Sequence, residues 1–390
     1  MTKPTTATGM SADDVQNFLT RTTDGSRWGD NDPEKFDFKD FFDYMINTTH
    51  LLLSKDEMTW MDSDPTPDRN VDVFVNMSCG TQLGPHVSLE TVGIFKALGV
   101  NAAVASGRQF CCGKVYRVNG RPEAGVRMSD ASVGRIREWG AETAVHGCPS
   151  CQIVYSSHLN QHPDLAPGLT NKHFSTFLEE RLDELGDRVP WQAEVPARVL
   201  VEGHGPELSP VHDGVTKAAA RILAKVPGVE VRGVVEPPSF GPPCKTPVPG
   251  GPGLFARLND TERAQTSTEL EAQAAARGAD TIAPSDKHCH REWSKFATDQ
   301  LTVRHYISIV AEALGCAEPD RFQTMWHLHD PEAVLEQTRP YWSSWGASEE
   351  QARQLVFRHF TPEHSAFVPQ CACGGDASRC NTGRNTLARQ

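Results

Sequence analysis

Eleven cysteines stand in this chain of 390 residues, and their grouping points to chemistry before any element is assigned. Five of them, Cys79, Cys111, Cys112, Cys148 and Cys151, follow the pattern C-x31-CC-x35-C-x2-C. A lone C-x-x-C such as Cys148-Pro149-Ser150-Cys151 is ambiguous between a redox dithiol, half a zinc site and chance. The adjacent pair Cys111-Cys112 says more. Neighbouring cysteines are sterically poor disulfide partners, but they can point two thiolates into one loop cavity. Five thiolates exceed the four that tetrahedral zinc takes. They suit an iron–sulfur cluster, in which several irons need soft ligands. Gly80 and Gly113, each directly after a cysteine, let the backbone turn tightly beside a bulky inorganic core. A zinc site and a set of buried reduced thiols are the competing readings of the same residues.

The elements that must carry these residues alternate between strand and helix. The β-branched run at 71–77 predicts a buried strand ahead of Cys79, and residues 88–100 a helix. A strand at 101–106 precedes Cys111 and Cys112, a helix follows at 123–139, and a strand at 142–147 precedes Cys148. Each cysteine group thus falls just beyond the C-terminal end of a predicted strand, the edge at which open α/β sheets bind ligands. The order recurs with strands at 197–203, 229–235 and 279–284 and helices at 215–226 and 260–277, an internal repeat. The expected fold class is α/β, with two Rossmann-like half-domains at 71–190 and 191–295. A helical N-terminal extension at 1–70 carries two helical stretches, DDVQNFLTRTT and FKDFFDYMINTTHLLLS. A C-terminal extension at 296–390 has helices around 296–315 and 348–360 and ends in a polar, cysteine-bearing tail.

With Cys111-Cys112-Gly113 and Cys148-Pro149-Ser150-Cys151 in place, residues 70–295 resemble the cysteine-rich CCG-domain family of heterodisulfide reductase. Its relatives include iron–sulfur subunits of glycolate oxidase, lactate-utilisation proteins and thiol-linked fumarate reductases. The resemblance implies a non-cubane [4Fe-4S] cluster held by Cys79, Cys111, Cys112, Cys148 and Cys151, on one of two packed Rossmann-like halves.

The second motif departs from the family pattern. His204-Gly205-Pro206-Glu207 stands where His-Asp-Pro-Cys is expected, which puts Glu207 in the place of the cysteine. The pair becomes Pro243-Cys244-Lys245 and the C-x-x-C becomes Asp286-Lys287-His288-Cys289. Only Cys244 and Cys289 survive, which argues against a second cluster and against a mechanism in which two clusters each bind one sulfur. His204, Glu207, Cys244, Asp286, His288, Cys289 and His290 could form a mixed site for zinc or a single iron. Alternatively, the second half lost its cluster and kept its fold. His204, His288 and His290 are candidate proton donors, since imidazole titrates near neutral pH. Lys114 could neutralise an anionic cluster or hold a substrate carboxylate. Cys371, Cys373 and Cys380 could fold back onto a metal or form a mobile redox arm. His327 and His329 are expected on one face of a strand, a weaker ligand candidate.

Composition narrows the function classes. The formal charge of −12 disfavours non-specific nucleic-acid and anionic-membrane binders, which use clustered Lys and Arg. No run approaches the ~20 apolar residues that span a bilayer, and the N-terminus lacks the apolar region of a secretory signal, so a cytoplasmic location is expected. No dinucleotide fingerprint, P-loop or bacterial ferredoxin run occurs. Electrons would therefore come from a separate ferredoxin, flavoprotein or iron–sulfur subunit. The leading expectation is an iron–sulfur oxidoreductase acting on a thiol, disulfide or other sulfur-containing small molecule. A non-redox metal-dependent lyase or hydrolase is the second, and a non-catalytic electron-relay subunit the third.

Overall fold

The computed structural model describes residues 10–11, 14–15, 38–58, 71–206, 208–239, 255 and 258–361. Most of the first expected N-terminal helix, Glu207, Cys244, Cys371, Cys373 and Cys380 lie outside the described residues.

Two four-stranded parallel sheets form the centre, in the orders β2-β1-β3-β4 and β6-β5-β7-β8. The first comprises β1 (Val73–Asn76), β2 (Ala102–Ala105), β3 (Thr143–His146) and β4 (Thr170–His173). The second comprises β5 (Ala197–Glu202), β6 (Val229–Val234), β7 (Thr281–Pro284) and β8 (Thr302–Val303). The central strands β1 and β7 are buried along their whole length, as expected of parallel strands covered on both faces. The edge strand β6 alternates between half-buried and exposed positions.

Among the described residues, fourteen α-helices of defined extent stand in chain order: α1 (Phe38–Leu52), α2 (Pro85–Ala97), α3 (Lys114–Val118), α4 (Pro122–Glu138), α5 (Pro149–Gln161), α6 (Phe174–Leu185), α7 (Pro210–Leu223), α8 (Asp260–Ala276), α9 (Lys287–Ser294), α10 (Tyr306–Ala313), α11 (Arg321–Trp326), α12 (Pro331–Gln337), α13 (Arg339–Ser344) and α14 (Glu349–Phe360). The two halves pack reciprocally. Helix α2 of the first lies on α10 of the second, and α6 of the first lies on α7 of the second. These two contacts interchange when the halves are swapped, which is the geometry of a duplicated unit. The 3-10 turn Gly80–Leu83 also meets α9, and α5 meets α7. One apolar core runs through the junction, joining Val75, Ile94 and Phe174 to Val199, Ile222 and Ile309.

The α/β class and the two-sheet repeat match the sequence expectation. Two local expectations are corrected, and strand β4 is added to them. Between 296 and 315 the chain makes strand β8 before helix α10, so the second sheet takes its last strand from beyond residue 295. A two-residue strand carries no readable periodicity. Strand β4 reads Thr-Asn-Lys-His and is mostly half-buried at a sheet edge, so it shows no apolar signal either. His327 and His329 are not on a strand. Phe322, Met325 and Trp326 bury one face of α11, His327 caps that helix, and His329 follows in the left-handed region at φ 51°.

The N- and C-terminal helices form one unit. Leu51 and Leu52 of α1 share an apolar cluster with Phe322, Trp342, Val356 and Phe360. The other face of α1 sends Phe41, Phe42 and Met45 against Leu83, Cys111 and Val115. This extension therefore covers the loops that carry Cys79 and Cys111.

Candidate metal centre

Local backbone chemistry fixes the loops that carry the cysteines. Asn76, at the end of β1, donates from Nδ2 to the Phe110 carbonyl at 3.1 Å, and Tyr155 Oη donates to the same oxygen at 2.8 Å. Ser132 and Ser129 of α4 donate to the carbonyls of Cys111 and Cys112, each at 2.8 Å. Gly113 sits at φ 79°, and a Cβ there would lie 2.2 Å from the Gly125 oxygen, so only glycine fits after the cysteine pair. Its N–H points at Cys111 Sγ, 3.4 Å away. Asn76, Ser129, Ser132 and Tyr155 had no signal in the sequence, because their roles exist only once α4 and α5 pack beside the loops.

The structure brings Cys79, Cys111, Cys112, Cys148 and Cys151 into one pocket. None is in a disulfide; Cys111, Cys112 and Cys151 are buried, and Cys79 and Cys148 half-buried. Thiol contacts run in a chain, Cys111 to Cys112 to Cys151 to Cys148. Cys79 lies close enough to feel the charges of Cys112 and Cys148. Among the described residues, the group of ligand-type side chains whose donor atoms all lie within 4.8 Å of one another is a different one, His86, His290 and Asp320. Burial pushes the Cys79 thiol up to about 12. The hydrogen bond from Cys151 brings Cys148 down to about 5, helped by Lys287 and opposed by burial. Hydrogen bonds from Cys111 and Cys151 hold Cys112 well below the usual thiol range.

Positive groups surround the sulfurs. Cys148 is the N-cap of α5, so the positive end of that helix dipole faces the pocket. Lys114 donates to Ser150 Oγ at 3.0 Å. Lys287, only 2% exposed, reaches in from α9 of the second half and donates to the Gly147 carbonyl. Burial works against its charge, but Cys148, Asp286, Cys151 and Cys79 outweigh that and raise its pKa. Five soft donors beside one buried and one half-buried lysine fit an anionic polynuclear group.

The second motif's remnants are placed differently from one another. Thr143 and Thr281 pair with Val73 and Val199, which makes Cys148 and Asp286 equivalent N-caps and Cys151 equivalent to Cys289. Cys79 stands six residues beyond Val73, and six beyond Val199 stands Gly205, not Glu207. The loop therefore carries His204 and Gly205 at this position. His204 Nε2 lies 3.5 Å from Cys289 Sγ, which is buried against Leu200, Ile282 and Trp293. Asp286 accepts from the His288 N–H at 2.8 Å and contacts its Nδ1 at 3.0 Å. Burial raises the Asp286 pKa, but the His288 contact and Lys287 carry it well below the carboxylate range.

His288 presses on Gly80, beside Cys79; a Cβ on Gly80 would lie 2.4 Å from its Cε1. His290, two residues on, faces away from the cysteines and contacts Asp320 Oδ2 at 2.7 Å. Thus His288 belongs with the cysteine pocket and His290 does not, because residues two apart on a helix point to nearly opposite sides.

Comparison with known proteins bears on the first half. No curated protein matches the chain. Among solved structures, a hypothetical protein from Helicobacter pylori matches at 11% identity and a TM-score of 0.42, over 72% of this chain and 55% of that one. The chain therefore spans about half the length of that protein. A protein named as a candidate Asp/Glu racemase, from Yersinia pestis, matches at 12% identity and a TM-score of 0.33, over 62% of this chain and 97% of that one. Likenesses this loose carry no argument. The family model described as the cysteine-rich domain CCG matches residues 73–155, a span that begins at β1, ends within α5 and holds all five clustered cysteines. That match supports iron–sulfur or metal binding. Sheet edge, gathered thiols and matched segment coincide, and residues 73–155 match the cysteine-rich domain CCG.

Proposed function

We propose that this chain is an iron–sulfur oxidoreductase, in which Cys79, Cys111, Cys112, Cys148 and Cys151 hold a non-cubane [4Fe-4S] cluster and the reacting partner is a sulfur-bearing small molecule. The observation that carries this reading is the convergence of five cysteines from three loops on one pocket that a buried lysine of the other half enters. Bound there, such a cluster supplies one-electron chemistry to a thiol, disulfide or related sulfur group. The chain's own residues supply the rest. Lys287 and Lys114 place positive charge beside the sulfurs, which favours an anionic group and a substrate carboxylate. His288, oriented by Asp286, holds a proton beside the Cys79 loop, where a departing thiolate needs one. Helix α1 covers Cys79 and Cys111 and limits water. The second half keeps its sheet but carries Gly205 and Asp286 where the first has Cys79 and Cys148, so it contributes charge and proton handling rather than a second thiolate set. Electrons come from a separate ferredoxin, flavoprotein or iron–sulfur subunit.

Anaerobic purification with iron and sulfide assay, followed by EPR with and without dithionite, tests this. A dithionite-dependent signal together with bound iron and sulfide is expected. Zinc without sulfide, or a cluster silent at every accessible potential, would overturn it.

A further inference from the structure

On the far side of α9 from the cysteines lies a cleft of about 710 Å³, lined among others by His86, Glu90, His290, His305 and Asp320. Three of these residues converge from separate parts of the fold. His86 is in the first turn of α2 in the first half, His290 is on α9 in the second, and Asp320 is the N-cap of α11. Their donor atoms all lie within 4.8 Å of one another. His290 Nε2 is 2.7 Å from Asp320 Oδ2, and His86 Nδ1 is 3.5 Å from Asp320 Oδ1. The two imidazoles stand 5.2 Å apart at 64°, and His305 lies 5.7 Å from His290.

The histidines are too buried for this to be an ordinary surface cluster. His86 is 3% exposed and His290 2%. Neither ring nitrogen of His86 has a hydrogen-bond partner, and Nδ1 of His290 has none. An unsatisfied buried polar atom is destabilising, so a buried ring used only as filler is better made of carbon. Asp320 already spends Oδ1 on the Gln323 N–H at 3.0 Å, which fixes its carboxylate in place. Two imidazoles and one carboxylate, facing a cleft that leaves further positions open, form the donor set of zinc or ferrous sites with three protein ligands.

We infer that His86, His290 and Asp320 form a second metal site, for a divalent ion such as zinc or ferrous iron, distinct from the cysteine pocket and joining the two halves and the C-terminal helices. The ion would bond one nitrogen of each imidazole and one oxygen of Asp320. Water or a small ligand from the cleft would complete its shell. Nothing in this assignment depends on what the cysteines bind.

The test uses the full-length protein, zinc as the probe, and two variants. His86→Phe replaces the orphan nitrogens with carbon of similar shape, and Asp320→Asn removes the anionic donor. Wild type is expected to bind one zinc more per chain than either variant, and to melt higher as zinc is added. The variants should lose affinity at this site by more than the roughly 100-fold that loss of an outer-shell partner costs, with iron and sulfide unchanged. Equal zinc in all three proteins would overturn the assignment. Iron and sulfide report the cysteine centre separately, so failure of one reading is distinguishable from failure of the other. Should neither variant fold, a crystal of wild type grown with zinc decides by anomalous scattering. A peak between His86, His290 and Asp320 supports the site, and ordered water alone there rejects it.

Discussion

Lys287 donates its ammonium to the carbonyl of Gly147, the residue before Cys148, and its Nζ also lies 3.3 Å from Oγ of Ser78, the residue before Cys79. One side chain of the second half thus pins two cysteine loops of the first. A buried ammonium is costly unless it is paired. Here the compensating charge comes from the thiols and Asp286. In Lys287→Met the reduction potential should move negative, on the order of tens of millivolts, because the electron is no longer stabilised by a nearby cation. Potentiometric titration followed by EPR measures this; an unchanged potential would mean that the lysine only ties loops.

Iron content tests the cysteine set directly. Anaerobically prepared protein should hold about four irons and four sulfides per chain. Cys112→Ser should lose most of both, since Cys112 contacts Cys111 and Cys151 at the middle of the thiol chain. Iron near about eight per chain would show that the second half binds a cluster as well.

Gly80 is the floor on which His288 rests. A methyl group there meets His288 Cε1 at 2.4 Å and Lys287 Cε at 2.9 Å. Gly80→Ala should therefore displace both side chains and cost about 1–3 kcal/mol by overpacking, seen as a lower melting temperature. A melting temperature equal to wild type would show that His288 and Lys287 give way to the methyl group without strain.

His50 provides a pH test remote from the cysteines. It stacks on Trp345 with ring centroids 3.9 Å apart, and burial brings its pKa down to about 4. The unfolded chain takes up that proton from about 6.5 downward. The stability from a neutral His50 is complete above that value, declines as pH falls from about 6.5 to 4, and is lost below. His50→Phe should flatten the melting temperature over that interval relative to wild type. An unaltered acid profile would place the sensitivity in other buried histidines.

The gathering of the five cysteines was legible in the sequence because its signal is local. Cys79, Cys111, Cys112, Cys148 and Cys151 each come shortly after a strand, and parallel strands deliver the loops at their C-terminal ends to the same sheet edge. The two-sheet repeat was legible for a similar reason, since buried β-branched runs and amphipathic helices announce themselves. Strands β4 and β8 were not legible, being too polar or too short to carry a period. Only tertiary packing decided which side of α9 does what. Lys287 and His288 read as a ruined C-x-x-C, yet the reciprocal packing of the halves turns them onto the first half's cysteines. The same helix sends His290 the other way, to His86 and Asp320, residues 204 positions before it and 30 after. Sequence spacing orders residues along one element, but contacts across a junction depend on how two independently stable surfaces meet. No period in the chain records that.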